Sequence, residues 1–240
     1  MGVITFNNIS SDTLGILVET QPNYEIPMKK YNRQHVPGRN GDVLTDTGDY
    51  DNVIRTYNVA LYREGSTAPT LSRELSKWLS HRGDYCRLED SYQPDIYMMA
   101  TYEETITMTH LNDVATRATI SFNRRPERFL KTGEVPITFN EPLTGRISNP
   151  TNNVAAPIIK VYGDGTGFVT VGAHNIAITN MSGYVYIDST LEDCYKEFTN
   201  MNGYVTITNG FPKLLPNLTV PVQFAGGVTR VDITPNWWVI

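Results

Sequence analysis

The chain has 240 residues, of which 40% are apolar and 19% charged, with a formal net charge of −5. That length allows two domains, or one large β domain, with a substantial core, and the composition excludes a disordered chain. The acidic balance argues against nucleic acid as a primary partner, because phosphate contacts need clustered Lys and Arg.

No run approaches the roughly 20 consecutive apolar residues of a membrane helix. The opening Met1-Gly2-Val3-Ile4 has no basic region before an apolar core, so it reads as the start of a mature cytosolic product. Gly2 is followed by a strand pattern, which gives a myristoylation reading little support. Cys86 and Cys194 lie far apart and are expected as free thiols in different domains.

Val3–Phe6 and Gly15–Val18 are the first predicted strands. The stretch Val36-Pro37-Gly38-Arg39-Asn40-Gly41-Asp42, running on to Gly48-Asp49-Tyr50, concentrates turn chemistry and opposite charges. Pro37 presets a turn and Gly38 can take positive φ. Asn40-Gly41 predicts a two-residue hairpin loop with Arg39 and Asp42 exposed at its tip. Val53–Tyr62 follows as a long strand.

One helix is predicted. Leu71, Leu75, Trp78 and Leu79 share one face at helical spacing, which makes Trp78 a core residue. Thr67 or Thr70 caps its start, Pro69 sits near the first turn, His81 and Arg82 fall in the last turn, and Gly83 stops it. Strands are then expected at Tyr85–Leu88, Ile96–Ala100, Thr105–Thr109 and Ala118–Phe122. Arg124-Arg125-Pro126-Glu127-Arg128 breaks the pattern and marks a domain boundary, giving domains over 1–130 and 131–240.

The second half reads as β throughout. Ile158–Tyr162 is a buried-looking strand, and Gly163-Asp164-Gly165-Thr166-Gly167 a tight loop after it. Residues 179–187 and 199–207 form a short repeat, Thr-Asn-Met-x-Gly-Tyr-Val-x-Ile, read as two similar hairpin corners. Asp188–Asp193 reads as a capped helical turn at most, and Thr219–Phe224 and Val228–Thr234 as two closing strands.

No catalytic set assembles in the sequence. The glycine-rich loop lacks a following Lys-Ser/Thr pair and helix, so it does not fit a phosphate cradle. Cys86 follows His81 but sits mid-strand and is expected to be a neutral thiol. His35, His81, His110 and His174 lack metal-ligand spacing. The pairs Glu103-Glu104 and Glu192-Asp193 read as solvated charges. Neither cofactor nor metal is expected. Trp237 and Trp238 must point to opposite faces of a strand, so one belongs to the core and the other is a candidate contact.

The ordered set of the Pro37–Asp42 turn, Gly48-Asp49-Tyr50, the single helix ending near Gly83-Asp84-Tyr85, Phe122-Asn123-Arg124-Arg125-Pro126, Ile147–Asn152, Val185–Ser189 and Gly210–Pro216 resembles the distal tail proteins of siphophages, long non-contractile-tailed bacteriophages of Gram-positive hosts. The resemblance covers nearly the whole chain. It implies an all-β dominated fold: an N-terminal β domain with one α-helix, forming a hexameric ring, and a C-terminal galectin-like β-sandwich. It implies a structural hub of the tail tip, or baseplate, that is not an enzyme. Its partners would be further copies of itself, the tail tube protein, the tail-associated fibre or lysin protein, and receptor-binding proteins. DNA would pass through the channel without sequence-specific binding, and no membrane is involved. Localisation would be the virion tail tip, after synthesis in the host cytoplasm. Arg39, Asn40, Asp42 and Tyr50 become candidate subunit-interface residues, and Trp237 and Trp238 a candidate C-terminal contact. Two departures stand out. Pro216-Asn217-Leu218 lacks the glycine common in the family, and His174-Asn175-Ile176 does not reproduce the galectin sugar-binding run. The alternative reading is a carbohydrate-binding module recognising the host cell wall; a wall-degrading enzyme is a third, prompted by the acidic pairs.

Overall fold

The computed structural model describes residues 1–80, 84–111, 115–142 and 145–240; His81, Arg82 and Gly83, expected to close the helix, lie outside the described residues. The chain divides into two compact units, Met1–Arg128 with Ile240, and Phe129–Val239.

In the first unit, β1 (Ile4–Phe6), β2 (Ile9–Ser10) and β3 (Ile16–Val18) open the chain, and β4 (Lys29–Gln34) and β5 (Val43–Tyr50) follow. Next come β6 (Val53–Tyr62), α1 (Ala68–Leu79), β7 (Cys86–Asp90), β8 (Ile96–Tyr102), β9 (Met108–His110) and β10 (Ala115–Leu130). The main sheet runs β2-β1-β7-β8-β10-β6-β3, with β9 also paired to β10. β6 alternates strictly, turning Val53, Arg55, Tyr57, Val59 and Leu61 inward. Its partner β10 turns Ala118, Ile120 and Phe122 to the same core, with Phe122 opposite Arg55.

Helix α1 covers that core with Leu71, Leu75, Trp78 and Leu79, as its spacing predicts. The Trp78 indole N–H donates to the carbonyls of Phe6 and Ile9 at 3.2 and 3.3 Å, so the ring is buried with its polar edge satisfied. Thr67 occupies the N-cap position, but its hydroxyl bonds that of Thr70 rather than the helix backbone.

Two expectations in this half are corrected. The Asn40-Gly41 pair does not close a two-residue hairpin. The last paired residues of β4 and β5 are Gln34 and Val43, so the connection spans residues 35–42. Arg124–Arg128 does not break the strand either: β10 continues through it to Leu130. Pro126 can stand there because pairing with β6 ends at Arg124, so no ladder donor is demanded of it from that side.

The second unit holds β11 (Ile137–Phe139), β12 (Gly145–Ser148), β13 (Ile158–Val171), β14 (His174–Asp188), β15 (Asp193–Lys196), β16 (Thr199–Asn200), β17 (Val205–Thr208) and β18 (Thr219–Thr234). All eight join one sheet. The three long strands bend midway, and this folds the sheet onto itself. One half of β13 pairs with β14 and β18 over Ile158–Tyr162, and the other half pairs with them over Gly167–Val171. β11, β15 and β16 extend the first layer, and β12 and β17 the second. Ile159, Val161, Val169, Val171, Ile176, Val185, Phe224 and Val231 fall in one core cluster, so the layers face each other as a β-sandwich.

Glycine makes the bend possible. A Cβ on Gly163 would lie 2.0 Å from the Gly227 carbonyl oxygen, and one on Gly227 1.9 Å from that of Asp164. The segment 163–167 is therefore a bulged corner within β13, not a loop between strands. For the same reason the first repeat copy lies inside continuous β14, with Asn180 and Gly183 at positive φ, whereas the second runs from β16 through a short 3-10 turn into β17. The two expected closing strands are likewise one bent strand, β18. Residues 189–192 form a turn rather than a helix, with Asp188 Oδ1 accepting the amides of Thr190 and Leu191 at 2.8 and 3.0 Å.

Candidate assembly surface

Strands β4 and β5 form a separate two-stranded sheet. Each of their residues is exposed or half-buried, and among the described residues none of 19–52 joins either core cluster. An isolated hairpin of this kind is marginal in water, since it buries no apolar face. Met28, Tyr31 and Leu44 stay open on this arm, at 70%, 45% and 53% exposure.

What holds the arm locally is charge and turn chemistry. Lys29 pairs with Asp46, and Lys30 with Asp49 and Asp51 at 3.3 and 3.5 Å. The Asp46 carboxylate also accepts the Gly48 amide at 2.9 Å, and Thr47 donates its hydroxyl to the Lys30 carbonyl at 3.0 Å. The hydrogen bond to Lys29 lowers the pKa of Asp46 and raises that of Lys29. Such exposed pairs are weak, because water and salt screen them.

At the tip, the Arg39 amide bonds the Val36 carbonyl at 3.2 Å around Pro37-Gly38, with Gly38 at φ +81° and Gly41 at +79°. Arg39, Asn40 and Asp42 are exposed together there. Asp42 Oδ1 lies 3.7 Å from His35 Nδ1, an ion pair only when the imidazole is protonated. Tyr50 is not with them. It pairs with Lys29 at the base of the arm, about 25 Å along β5 at ~3.3 Å per residue.

Trp237 and Trp238 belong to the second unit. Trp237 is 5% exposed within its core. Trp238 is half-buried, and its indole N–H donates to the Val154 carbonyl at 2.9 Å.

Among the described residues no group of three or more His, Cys, Asp or Glu could hold a metal, and no helix is long and apolar enough to cross a membrane. Burial raises the Cys86 thiol and pushes Cys194 up to about 11, so neither is an activated thiolate. Hydrogen bonds from Thr101 and Asn123, at 2.6 and 3.0 Å, lower the pKa of Glu103, the opposite of what a general acid needs.

Two groupings were missed at the level of sequence. One is a row on the outer face of the sandwich, where Lys160 Nζ lies 4.3–4.9 Å from the rings of Tyr162, Tyr184 and Tyr186, and Tyr186 stacks on Tyr195. The cross-strand registers Lys160–Tyr186, Tyr162–Tyr184 and Tyr186–Tyr195 build it. The other is a buried charge cluster in the first unit, with Arg55 and Arg124 each 2% exposed and Asp90 4%. Its signal is present in β6, where Arg55 falls in phase with the inward Val53, Tyr57 and Val59.

The two units define a class: an all-β dominated protein carrying one helix in its first unit and a galectin-like β-sandwich as its second. The crystal structure of the SPP1 Dit (gp 19.1) protein, described as a paradigm of hub adsorption apparatus in Gram-positive infecting phages, aligns with this chain at a TM-score of 0.77. The alignment covers 100% of both chains at 12% identity, so the likeness is one of fold, and it is the fold the sequence resemblance implied. No family model and no curated protein matches the sequence.

Proposed function

We propose that this chain is the structural hub of a phage tail tip. The end-to-end fold likeness to SPP1 Dit carries the reading. Residues 1–130 assemble as a homohexameric ring continuing the tail tube, and residues 131–240 form the galectin-like sandwich. The ring joins the tube protein to the tail-associated fibre or lysin protein, holds receptor-binding proteins, and lets DNA pass without reading its sequence. The chain acts at the virion tail tip after synthesis in the host cytoplasm, and has no catalytic role.

The arm supports the ring reading. It is exposed on both strands and carries uncovered apolar residues, as a segment waiting for a neighbouring subunit would. Arg39, Asn40 and Asp42 at the tip, and Tyr50 at the base, are the proposed contacts. A ring repeats one heterologous contact around a closed rotation, so each weak exposed pair acts once per interface. The carbohydrate alternative is motivated by the aromatic-rich second half with Trp237 and Trp238; burial of the first and the Val154 bond of the second weaken the part these two residues carry. Electron micrographs of purified protein test the proposal: closed rings are expected, and single particles of one chain at every concentration, with the chain also absent from purified virions, overturn it.

A further inference from the structure

The arm is reached through residues 21–28, which join no sheet, and it leaves through Asp51 and Asn52 into β6. The approach segment is nonetheless held tightly, by two buried guanidinium groups. Arg55 donates through Nη1 to the Asn23 carbonyl and lies 3.2 Å from Glu25 Oε2, while the Tyr24 ring centroid stands 5.2 Å from its guanidinium carbon. Arg124 donates through Nη2 to the Glu25 carbonyl at 3.1 Å.

With further nitrogens Arg55 bonds the buried Asp90, whereas Arg124 bonds only the next two residues of its own strand β10 and keeps its Nε buried without a partner among the described residues. Arg55 Nη2 lies 2.9 Å from Asp90 Oδ2, which also accepts the Tyr57 hydroxyl at 2.9 Å. Asp90 Oδ1 in turn accepts the amides of Tyr92 and Gln93, each at 3.0 Å. Arg124 Nη1 donates to the carbonyls of Arg125 and Pro126 at 2.9 and 3.2 Å. A planar guanidinium presents donors in several fixed directions, which suits it to bridging two backbones rigidly. Apolar side chains at these inward positions would fill the core but hold nothing beyond it.

We infer that Arg55 and Arg124 are positioning residues for assembly: they clamp residues 23–25 to the core and so fix the direction in which the arm leaves the first unit. The inference rests on the arm being the subunit contact. It separates two properties of one unit, folding of the core and aim of the arm, and assigns the second to this bracket.

Arg55→Met would leave Asp90 buried without its cation and is expected to compromise folding, so it is not the informative variant. Arg124→Met combined with Glu25→Ala removes the second grip and one carboxylate; the bonds of Arg124 run to the backbone carbonyls of Arg125, Pro126 and Glu25, so its loss strands no buried carboxylate. Should that pair not fold, Tyr24→Ala with Glu25→Ala alters only the approach segment. The readout is amide exchange of the full chain, kept unassembled at low concentration. Exchange over residues 29–34 and 43–50 is expected to quicken at least tenfold while residues 57–61 and 118–122 keep wild-type rates. Ring formation is expected to need at least tenfold more protein. Unchanged arm exchange, or equal quickening of arm and core, overturns the proposal. A loosened arm with undiminished ring formation overturns it as well. The tip variant Arg39→Glu separates the two readings: if it abolishes rings while the bracket variants leave exchange and assembly untouched, the arm contact stands and the bracket falls.

Discussion

At the scale of the residue, environment decides what each titratable group can do. Cys194 is buried and pushed up to about 11, so at pH 8 it should resist alkylation in the native protein and react only in denaturant. Mass spectrometry after iodoacetamide checks this, and rapid native modification of Cys194 would contradict it. The arm responds to pH with a defined sign. Asp46 is lowered below its ordinary 3.8 by Lys29 and the Gly48 amide, and Asp49 by the Thr47 hydroxyl and then Lys30. A depressed carboxylate contributes stability above its unfolded pKa and loses it as pH falls through the folded one. The arm's amide protection should therefore be unaffected at pH 6 and begin to weaken as pH falls below about 4, while the core strands keep theirs. Lys29 and Lys30 are raised, so their share is present below the ordinary 10.5 and vanishes only above it. Hydrogen exchange at pH 3 and pH 6 reads the acid limb.

At the scale of the element, periodicity was legible and curvature was not. Val53–Tyr62 and the helix face Leu71, Leu75, Trp78 and Leu79 were readable because burial repeats along one element. The bends of β13, β14 and β18 were not, because glycine marks a turn between strands and a bulge within one in the same way. Only the pairing partner separates the two cases, and that partner lies far away in sequence. Asn40-Gly41 failed for a related reason: the loop length depends on where β4 and β5 stop pairing, which the dipeptide does not encode. Arg55 and Arg124 were hidden because a charged residue defaults to the surface unless its burial partners are known. The corner makes a sharp expectation. Gly227→Ala forces a Cβ to within 1.9 Å of the Asp164 carbonyl oxygen, and should cost about 1–3 kcal/mol in thermal unfolding. Gly203→Ala, with nothing within 4 Å, should cost under about 0.5 kcal/mol. Equal effects of the two would refute the corner argument.

At the scale of the molecule, two compact units have separate cores, and a hairpin of the first unit belongs to neither. Under the proposed ring, an arm so poor in buried surface would gain stability by association, which would tie its order to protein concentration. The candidate site was legible in part. Its tip charges were readable from turn chemistry, whereas the isolation of the arm and the bracket at its root required the strand pairings. Closure of copies of this chain into a ring through that arm is the proposal on which the function rests. Native mass measurement of the wild type and Arg39→Glu across a concentration series tests it most directly. The wild type is expected at six times the chain mass, with Arg39→Glu shifted toward the single chain at equal thermal stability. A wild type that stays a single chain at every concentration would contradict the account.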